Sequence, residues 1–316
     1  MLNGTGNFFP NSRVIPSPAE NKKITFIINP RAGAGQGTAL EQLIAQYASS
    51  NNAVLDIRHT QSAGHATLLA SEASSNGSDI VVAVGGDGTM NEVARGLVGT
   101  QTTMGIVPRG SGNGLARHLG IPLNTTQAIA SLFKSEELAI DVFTVNGRLS
   151  LNVSGIGFDG HVTNLFGVKS GRGLMGYVTV TVKEFTAFRE FDVQIRSKEF
   201  DIQRHAFIVA IANSSQYGNN AYIAPAASVC DGLLHVNLLK KIPLYRMDFL
   251  YDFFAGRVGQ SPYSEILETA ALQLTTSEPV SYHVDGEPAG TSDHFDIVLR
   301  PGALKVLYPP HVKRVV

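Results

Sequence analysis

Five consecutive residues, Gly85-Gly86-Asp87-Gly88-Thr89, set a single carboxylate among glycines. Glycine lets backbone amides approach a ligand closely. The stretch follows the unbroken apolar run 80–84 and precedes a helical pattern, with Met90, Val93, Ala94 and Leu97 at i, i+3, i+4 and i+7. A strand, a glycine turn and a helix N-terminus together favour an anion, because unpaired N–H groups and the helix dipole both point at it. Asp87 would repel bare phosphate and suits phosphate that carries Mg²⁺, so the stretch reads as a metal–nucleotide site. Thr89 and Glu92 have the spacing of a capping box at the helix start.

Two further glycine loops follow apolar runs. Strand 24–28 ends in Asn29-Pro30 and a loop holding Gly33, Gly35 and Gly37, and strand 104–107 ends in Pro108-Arg109-Gly110-Ser111-Gly112-Asn113-Gly114. The first loop is not a Walker A motif, since no Lys follows its last glycine. Nor is it a dinucleotide fingerprint, since Thr38 stands where a third spaced glycine is needed. Near the other end of the chain Asp285-Gly286-Glu287 brings two carboxylates together, although as bare sequence Asp-Gly is simply a hairpin turn. A formal G-x-G-x-x-G at Gly155, Gly157 and Gly160 lies outside any strand–helix–strand unit and carries little weight.

The elements that must position these residues fall into two textures. Residues 21–137 alternate strands at 24–28, 54–58, 80–84 and 104–107 with helices, which predicts an α/β domain with a doubly wound parallel sheet and ligands at the carboxyl ends of its strands. Residues 138–300 read as short strands at 138–145, 149–153, 191–195, 207–212, 233–238, 272–275, 280–284 and 295–299. An Asn146-Gly147 hairpin joins the first pair, and helical breaks stand at 177–188 and 244–254. This predicts a β-rich sandwich domain. Residues 1–20 read as a loose leader and 301–316 as a tail that folds back on the first domain or reaches membrane phosphates.

The chain has 316 residues, 43% of them hydrophobic, enough for two ordinary cores. A net charge of −1 argues against a general affinity for nucleic acid. A single cysteine, Cys230, rules out an internal disulfide framework and fits a reducing compartment. No apolar run approaches a membrane span, so the expectation is a cytoplasmic protein whose membrane contact is peripheral. Oligomeric state is left open, a homo-oligomer included.

Taken in order, Asn29-Pro30, Thr60 with Gly64-His65-Ala66, Gly85 to Thr89, Pro108-x-Gly110-Ser111-Gly112-Asn113, Asn152-x-x-x-x-Gly157-Phe158-Asp159 and Asp285-Gly286-Glu287 resemble the diacylglycerol kinase catalytic family. That family includes bacterial soluble lipid kinases, sphingosine kinases and ceramide kinases. The glycine–aspartate stretch alone is shared with NAD kinases and phosphofructokinases. The resemblance implies ATP and Mg²⁺, with Asn29, Pro30, Thr60, His65, Gly85, Gly86, Asp87, Gly88, Thr89, Glu92, Gly110, Ser111, Gly112 and Asn113 around the nucleotide. It implies Asp285 as the base facing a lipid hydroxyl, Glu287 steadying the metal or that base, and Asp87 holding Mg-phosphate. The expected reaction moves the γ-phosphoryl group to the primary hydroxyl of a diacylglycerol-like or sphingoid lipid. NAD kinase and a non-catalytic nucleotide or lipid sensor stand as alternatives.

Two departures mark this chain. Gly114 replaces the Asp that many bacterial members carry, which weakens the case for diacylglycerol as acceptor. The family's structural metal block appears as Cys230-Asp231-Gly232-Leu233-Leu234-His235, which keeps Asp231 and puts a second Mg²⁺ in doubt. Phe166, Val168, Leu174, Met175 and Tyr177, interleaved with Lys169 and Arg172, read either as a membrane-dipping stretch or as a helix packed on the sandwich.

Overall fold

A computed structural model of the chain describes residues 22–33, 37–167, 181, 183–243, 245–246 and 248–310. The leader, residues 34–36 of the first glycine loop, the stretch 168–177 and the tail 311–316 lie outside the described residues.

Strands β1 (Lys23–Ile28), β2 (Val54–His59), β3 (Ile80–Gly85) and β4 (Thr103–Pro108) run parallel in the order β2-β1-β3-β4. Every residue of β3 and β4 is buried, which explains why neither alternates polar with apolar side chains. Helices α1 (Gly37–Ser50), α2 (His65–Ser75), α3 (Asp87–Leu97), α4 (Gly114–His118) and α5 (Thr125–Leu132) connect and cover them. The sequence pattern misses α5, a short helix that starts at Asn124, whose side chain accepts from Gln127 N–H at 3.1 Å.

The second half is antiparallel: β5 (Glu136–Val145), β6 (Arg148–Ser150), β7 (Val153–Gly157), α6 (Phe158–Gly167), β8 (Phe191–Arg196), β9 (Asp201–Ala206), β10 (Ile208–Ala212), β11 (Leu234–Leu239), α7 (Asp248–Phe254), β12 (Ser264–Thr269), β13 (Ala271–Val284) and β14 (Glu287–Tyr308). Asn146 and Gly147 both take positive φ at the turn between β5 and β6, as a tight hairpin requires. Four expectations need correction. The strand at 149–153 is two strands, because the Leu151 and Asn152 amides leave the ladder to donate to the Asp285 carboxylate at 2.8 and 3.0 Å. The strands at 272–275 and 280–284 are one, β13, whose register shifts between Thr275 and Val280 around Pro279, a residue with no N–H to give. The strand at 295–299 is the middle of the 22-residue β14. Strands β9 and β12 were not expected, since each has a single fully buried residue and carries many polar ones.

β14 joins the halves. It pairs antiparallel with β13 and β5 and then parallel with β4 at Val306 opposite Met104, so one 14-stranded sheet runs through the molecule. Its Phe295, Ile297 and Leu299 lie in the second core with Phe143 and Val145 of β5, while Leu304 and Val306 lie in the first with Leu138 and Ile140.

Helices α2 and α3 touch where α3 has no side chain. A Cβ on Gly96 would sit 2.6 Å from the Thr67 carbonyl oxygen and 2.9 Å from the Ser71 nitrogen, both backbone atoms that cannot rotate away. Gly96→Ala is expected to lose about 1–3 kcal/mol of stability although alanine is the better helix former, read from the urea midpoint. An unchanged or raised midpoint would show that the helix pair can part without cost.

Candidate active site

The N-terminus of α3 is built by Asp87. Its helix begins after Gly86 with no side-chain cap, so Thr89 and Glu92 do not form the expected capping box. The Thr89 hydroxyl accepts from the Asn29 amide at 3.0 Å. Glu92 reaches across to the neighbouring helix, where its two oxygens accept from Gly64 N–H at 2.8 Å and Ala66 N–H at 3.1 Å. It therefore caps α2, whose own N-cap, Gly64, has no side chain to do so. Asn29 turns its other end to Arg31 N–H at 3.0 Å, which fixes the entry to the first glycine loop. His65 accepts from Gln61 N–H at 3.1 Å through Nδ1, and Thr60 N–H donates to the Ile28 carbonyl, both of which shape the ends of β1 and β2.

The Asp87 carboxylate clamps the third glycine loop. Oδ2 accepts from Asn113 N–H at 2.8 Å and Oδ1 from Gly114 N–H at 2.9 Å. Asn113, at φ 51°, bonds both its amide atoms to Gly110 and so closes the loop on itself. Gly86 and Gly110 pack backbone to backbone, since a Cβ on Gly110 would lie 2.6 Å from Gly86 Cα. Burial pushes the Asp87 carboxyl above its ordinary value, the Asn113 and Gly114 amides pull it back, and the nearby Asp285 charge adds to the rise. Gly114 also has a local reason. A Cβ there would stand 2.3 Å from Asn152 Nδ2 and 2.7 Å from the Tyr217 carbonyl oxygen, so Asn152 occupies the space an acidic side chain would need.

Asp285 faces this clamp from the turn between β13 and β14. Oδ1 accepts from Ser150 Oγ at 2.6 Å and Asn152 N–H at 3.0 Å; Oδ2 accepts from Asn91 Nδ2 at 2.7 Å and Leu151 N–H at 2.8 Å. Asn91 lies one helical turn beyond Asp87 on α3 and also donates to the Leu149 carbonyl at 2.9 Å. Asn91 and Ser150 escape a motif reading, whereas Asn152 opens the Asn-x-x-x-x-Gly-Phe-Asp block that ends at Asp159. The one signal is a polar Asn between Met90 and Val93 on the buried face of α3. Glu287 is exposed, with Oε1 3.1 Å from where a Gly88 Cβ would be.

Asp87, Glu287 and Asp285 line one cavity of about 890 Å³ together with Gly86, Gly88 and the 110–112 loop. Its far end is apolar, walled by Phe158, Phe185, Phe207, Ile242, Phe249 and Phe253. Tyr217 borders it too, its hydroxyl pushed well above the usual phenol range by burial and then by the Asp159 charge. A smaller hollow of about 340 Å³ lies beside the first, between Gly33, Arg109, Ser111, Asn113 and Arg117. Asn29, Thr60 and His65 line neither; they stand at the outer ends of β1 and β2. Asp231 is remote from this cleft: its Oδ1 accepts from Leu233 N–H at 3.0 Å, and Oδ2 lies 3.9 Å from His235 Nε2. Beside it the buried Asp141 accepts from Gly232 N–H through Oδ2 and from Gly302 N–H through Oδ1. Among the described residues no group of three His, Cys, Asp or Glu side chains is placed to hold a metal.

A parallel α/β half and an antiparallel half that share a cleft with glycine loops at one end and an apolar chamber at the other define a kinase acting on a lipid. The family models bear this out: residues 23–145 match the diacylglycerol kinase catalytic domain, and residues 152–308 match the YegS C-terminal NAD kinase beta sandwich-like domain. A Pseudomonas putida protein named "Probable lipid kinase YegS-like" is 31% identical over 81% of this chain and 86% of its own length, and one of the same name from Cronobacter sakazakii is 29% identical over 81% and 87%. A Bacillus anthracis structure described as a diacylglycerol kinase superposes with a TM-score of 0.71 over 93% of this chain and 98% of its own, at 23% identity, which speaks for the fold alone. The chain belongs to the diacylglycerol kinase catalytic-domain family, among the YegS-like lipid kinases.

His118, on α4 behind the third loop, makes the site's support sensitive to acid. Its Nδ1 accepts from Ser215 N–H at 3.1 Å, its buried Nε2 has no partner among the described residues, and burial lowers its pKa to about 4. The unfolded chain binds this proton below about pH 6.5 and the folded chain only below about 4, so stability falls as pH drops through that window. The loss from this group should reach about 3 kcal/mol at the bottom of the window. Urea titrations of wild type and His118→Asn between pH 7 and 4 check it: the variant should show a shallower decline, and an identical decline would remove His118 as the cause.

Proposed function

We propose that the phosphoryl donor is Mg-ATP and that the acceptor is the primary hydroxyl of a diacylglycerol-like or sphingoid lipid. The observation that carries this reading is the single cavity, whose polar end holds Asp87 and Asp285 and whose other end is a chamber of aromatic and aliphatic side chains. A headgroup at the polar end leaves its acyl chains in the apolar one, which offsets their transfer from a bilayer.

The donor set fits a divalent cation. The Asp285 charge adds to the cost of an ionised Asp87, Glu287 stands close by, and each Asp87 oxygen accepts one amide and keeps a lone pair. Mg²⁺ at Asp87 would neutralise charge on the transferring phosphate. Gly86, Gly88, Gly110 and Ser111 bring backbone to the phosphates, and Asn29, Thr60 and His65 serve the outer part of the nucleotide through the loops they shape. Residues 21–137 thus form the nucleotide side and 138–300 the acceptor side. Asp285, held by four donors, orients the acceptor hydroxyl and receives its proton, and Glu287 steadies it. A carboxylate is a weak base, which suffices when the transition state is loose and the proton leaves late.

Incubating the protein with γ-labelled ATP, Mg²⁺ and vesicles that each carry one lipid, then identifying the product, tests the reading. A phosphorylated diacylglycerol or sphingoid base is expected, and product from NAD alone would overturn it. Asp285→Asn should lower turnover at least about a hundredfold while nucleotide affinity is kept.

Membrane contact has a candidate in α7. Phe249 and Phe253 face the cavity while Tyr251 is 66% and Phe254 54% exposed, and Tyr245 just before the helix is 80% exposed. Exposed aromatic side chains suit the bilayer interface. The double variant Tyr251→Ala, Phe254→Ala should lose activity on vesicles and keep it on a short-chain, water-soluble acceptor; equal loss on both would place the helix in the site and not at the membrane.

A further inference from the structure

The buried His283 and the half-buried Asp159 and Tyr217 form a chain of hydrogen bonds beneath the Asp285 turn; Asp159 ends the Gly157-Phe158-Asp159 motif, and no motif names the other two. Gly286 N–H donates to His283 Nδ1 at 3.1 Å. Nδ1 is therefore the unprotonated nitrogen, and the ring's proton is on Nε2. Nε2 faces Asp159 Oδ2 at 3.3 Å, and the same oxygen accepts from the Tyr217 hydroxyl at 2.8 Å. Asp159 Oδ1 accepts from Gly160 N–H at 2.8 Å, which fixes the carboxylate's rotation. The fold reserves room for this chain: a Cβ on Gly155 would fall within covalent distance of Asp159 Oδ2 and 2.7 Å from His283 Nε2.

What the chain holds is a turn that needs holding. Asp285 has φ 49° and Gly286 φ 81°, so a residue with a side chain sits in the left-handed region at the tip of the hairpin. Val284 pairs with Glu287 across the turn, and the Gly286 N–H lies outside that ladder. His283 supplies its partner.

We propose that His283, kept in its Nε2-protonated tautomer by Asp159 and Tyr217, is a positioning residue that fixes the Asp285-Gly286 turn and so aims the Asp285 carboxylate into the cavity. The inference rests on the reading of Asp285 as the acceptor-facing residue. Asp159 acts at a distance of two bonds. With Asn at 159, the amide oxygen stays on Gly160 N–H and the NH₂ group meets Nε2. The ring must then protonate Nδ1, which leaves two donors, Nδ1–H and Gly286 N–H, facing each other.

The two amide substitutions of His283 separate its two bonds. Asn places an acceptor near the Nδ1 position and keeps the turn's anchor, whereas Gln places a donor near the Nε2 position and keeps only the bond to Asp159. His283→Gln and Asp159→Asn should each lower kcat about tenfold or more with the KM for ATP unchanged. His283→Asn should lose several-fold less than His283→Gln. In ¹⁵N spectra of the intact protein the His283 proton should move from Nε2 to Nδ1 in Asp159→Asn. That last variant is nearly isosteric, so it remains informative if His283→Gln folds poorly. Equal losses in the Asn and Gln variants, or wild-type kcat in His283→Gln, would overturn the positioning role. Full turnover in Asp285→Asn would instead overturn the reading of Asp285 beneath it.

Discussion

The Asp285 carboxylate is the point on which the cleft depends. A carboxylate drawn partly out of water costs free energy unless it is hydrogen-bonded, and here four donors from three segments hold it. Asn91 comes from α3, Ser150 from the end of a hairpin strand, and Leu151 and Asn152 from the strand break that follows. Ending β6 two residues short of β7 is what satisfying that charge demands. The positive φ of Asp285 and the interruption of the strand ladder are thus two sides of one local compromise.

Helix α3 carries the consequence across the cleft. Asp87 at its first residue clamps the loop of Gly110 to Gly114, and Asn91 one turn later reaches Asp285. The Asp87 and Asp285 carboxylates are held at a separation set by a single rigid turn of helix and not by the packing of two surfaces. A substitution that rotates α3, even one at Gly96 on the far face against α2, moves both.

Much of this was legible in the residues. β3 announced itself as an unbroken apolar run, and the glycine loops did lie at the carboxyl ends of β1, β3 and β4. What escaped was whatever depends on partners distant in sequence. Glu92 has the spacing to cap its own helix, yet the neighbouring α2 begins at a glycine with no cap of its own and takes it. Gly114 looks like the loss of a carboxylate until Asn152, contributed by another strand junction, is seen filling its place. Asp159 and His283 sit 124 positions apart, and neither carries a local signal that they meet. The edge strands β9 and β12 were hidden because each buries only one residue fully and lacks the apolar alternation that marks a core strand.

β14 lends its first residues to one core and its last to the other while remaining a single strand of 22 residues. A hinge needs a place where few contacts cross, and a ladder shared by β4, β5 and β13 leaves none at the base of the cleft. Any opening that admits a lipid must therefore come from the elements around the rim, with the sheet staying still. The same strand makes the two halves one cooperative unit: a cut between them would leave the α/β half without an edge strand and the antiparallel half without its centre.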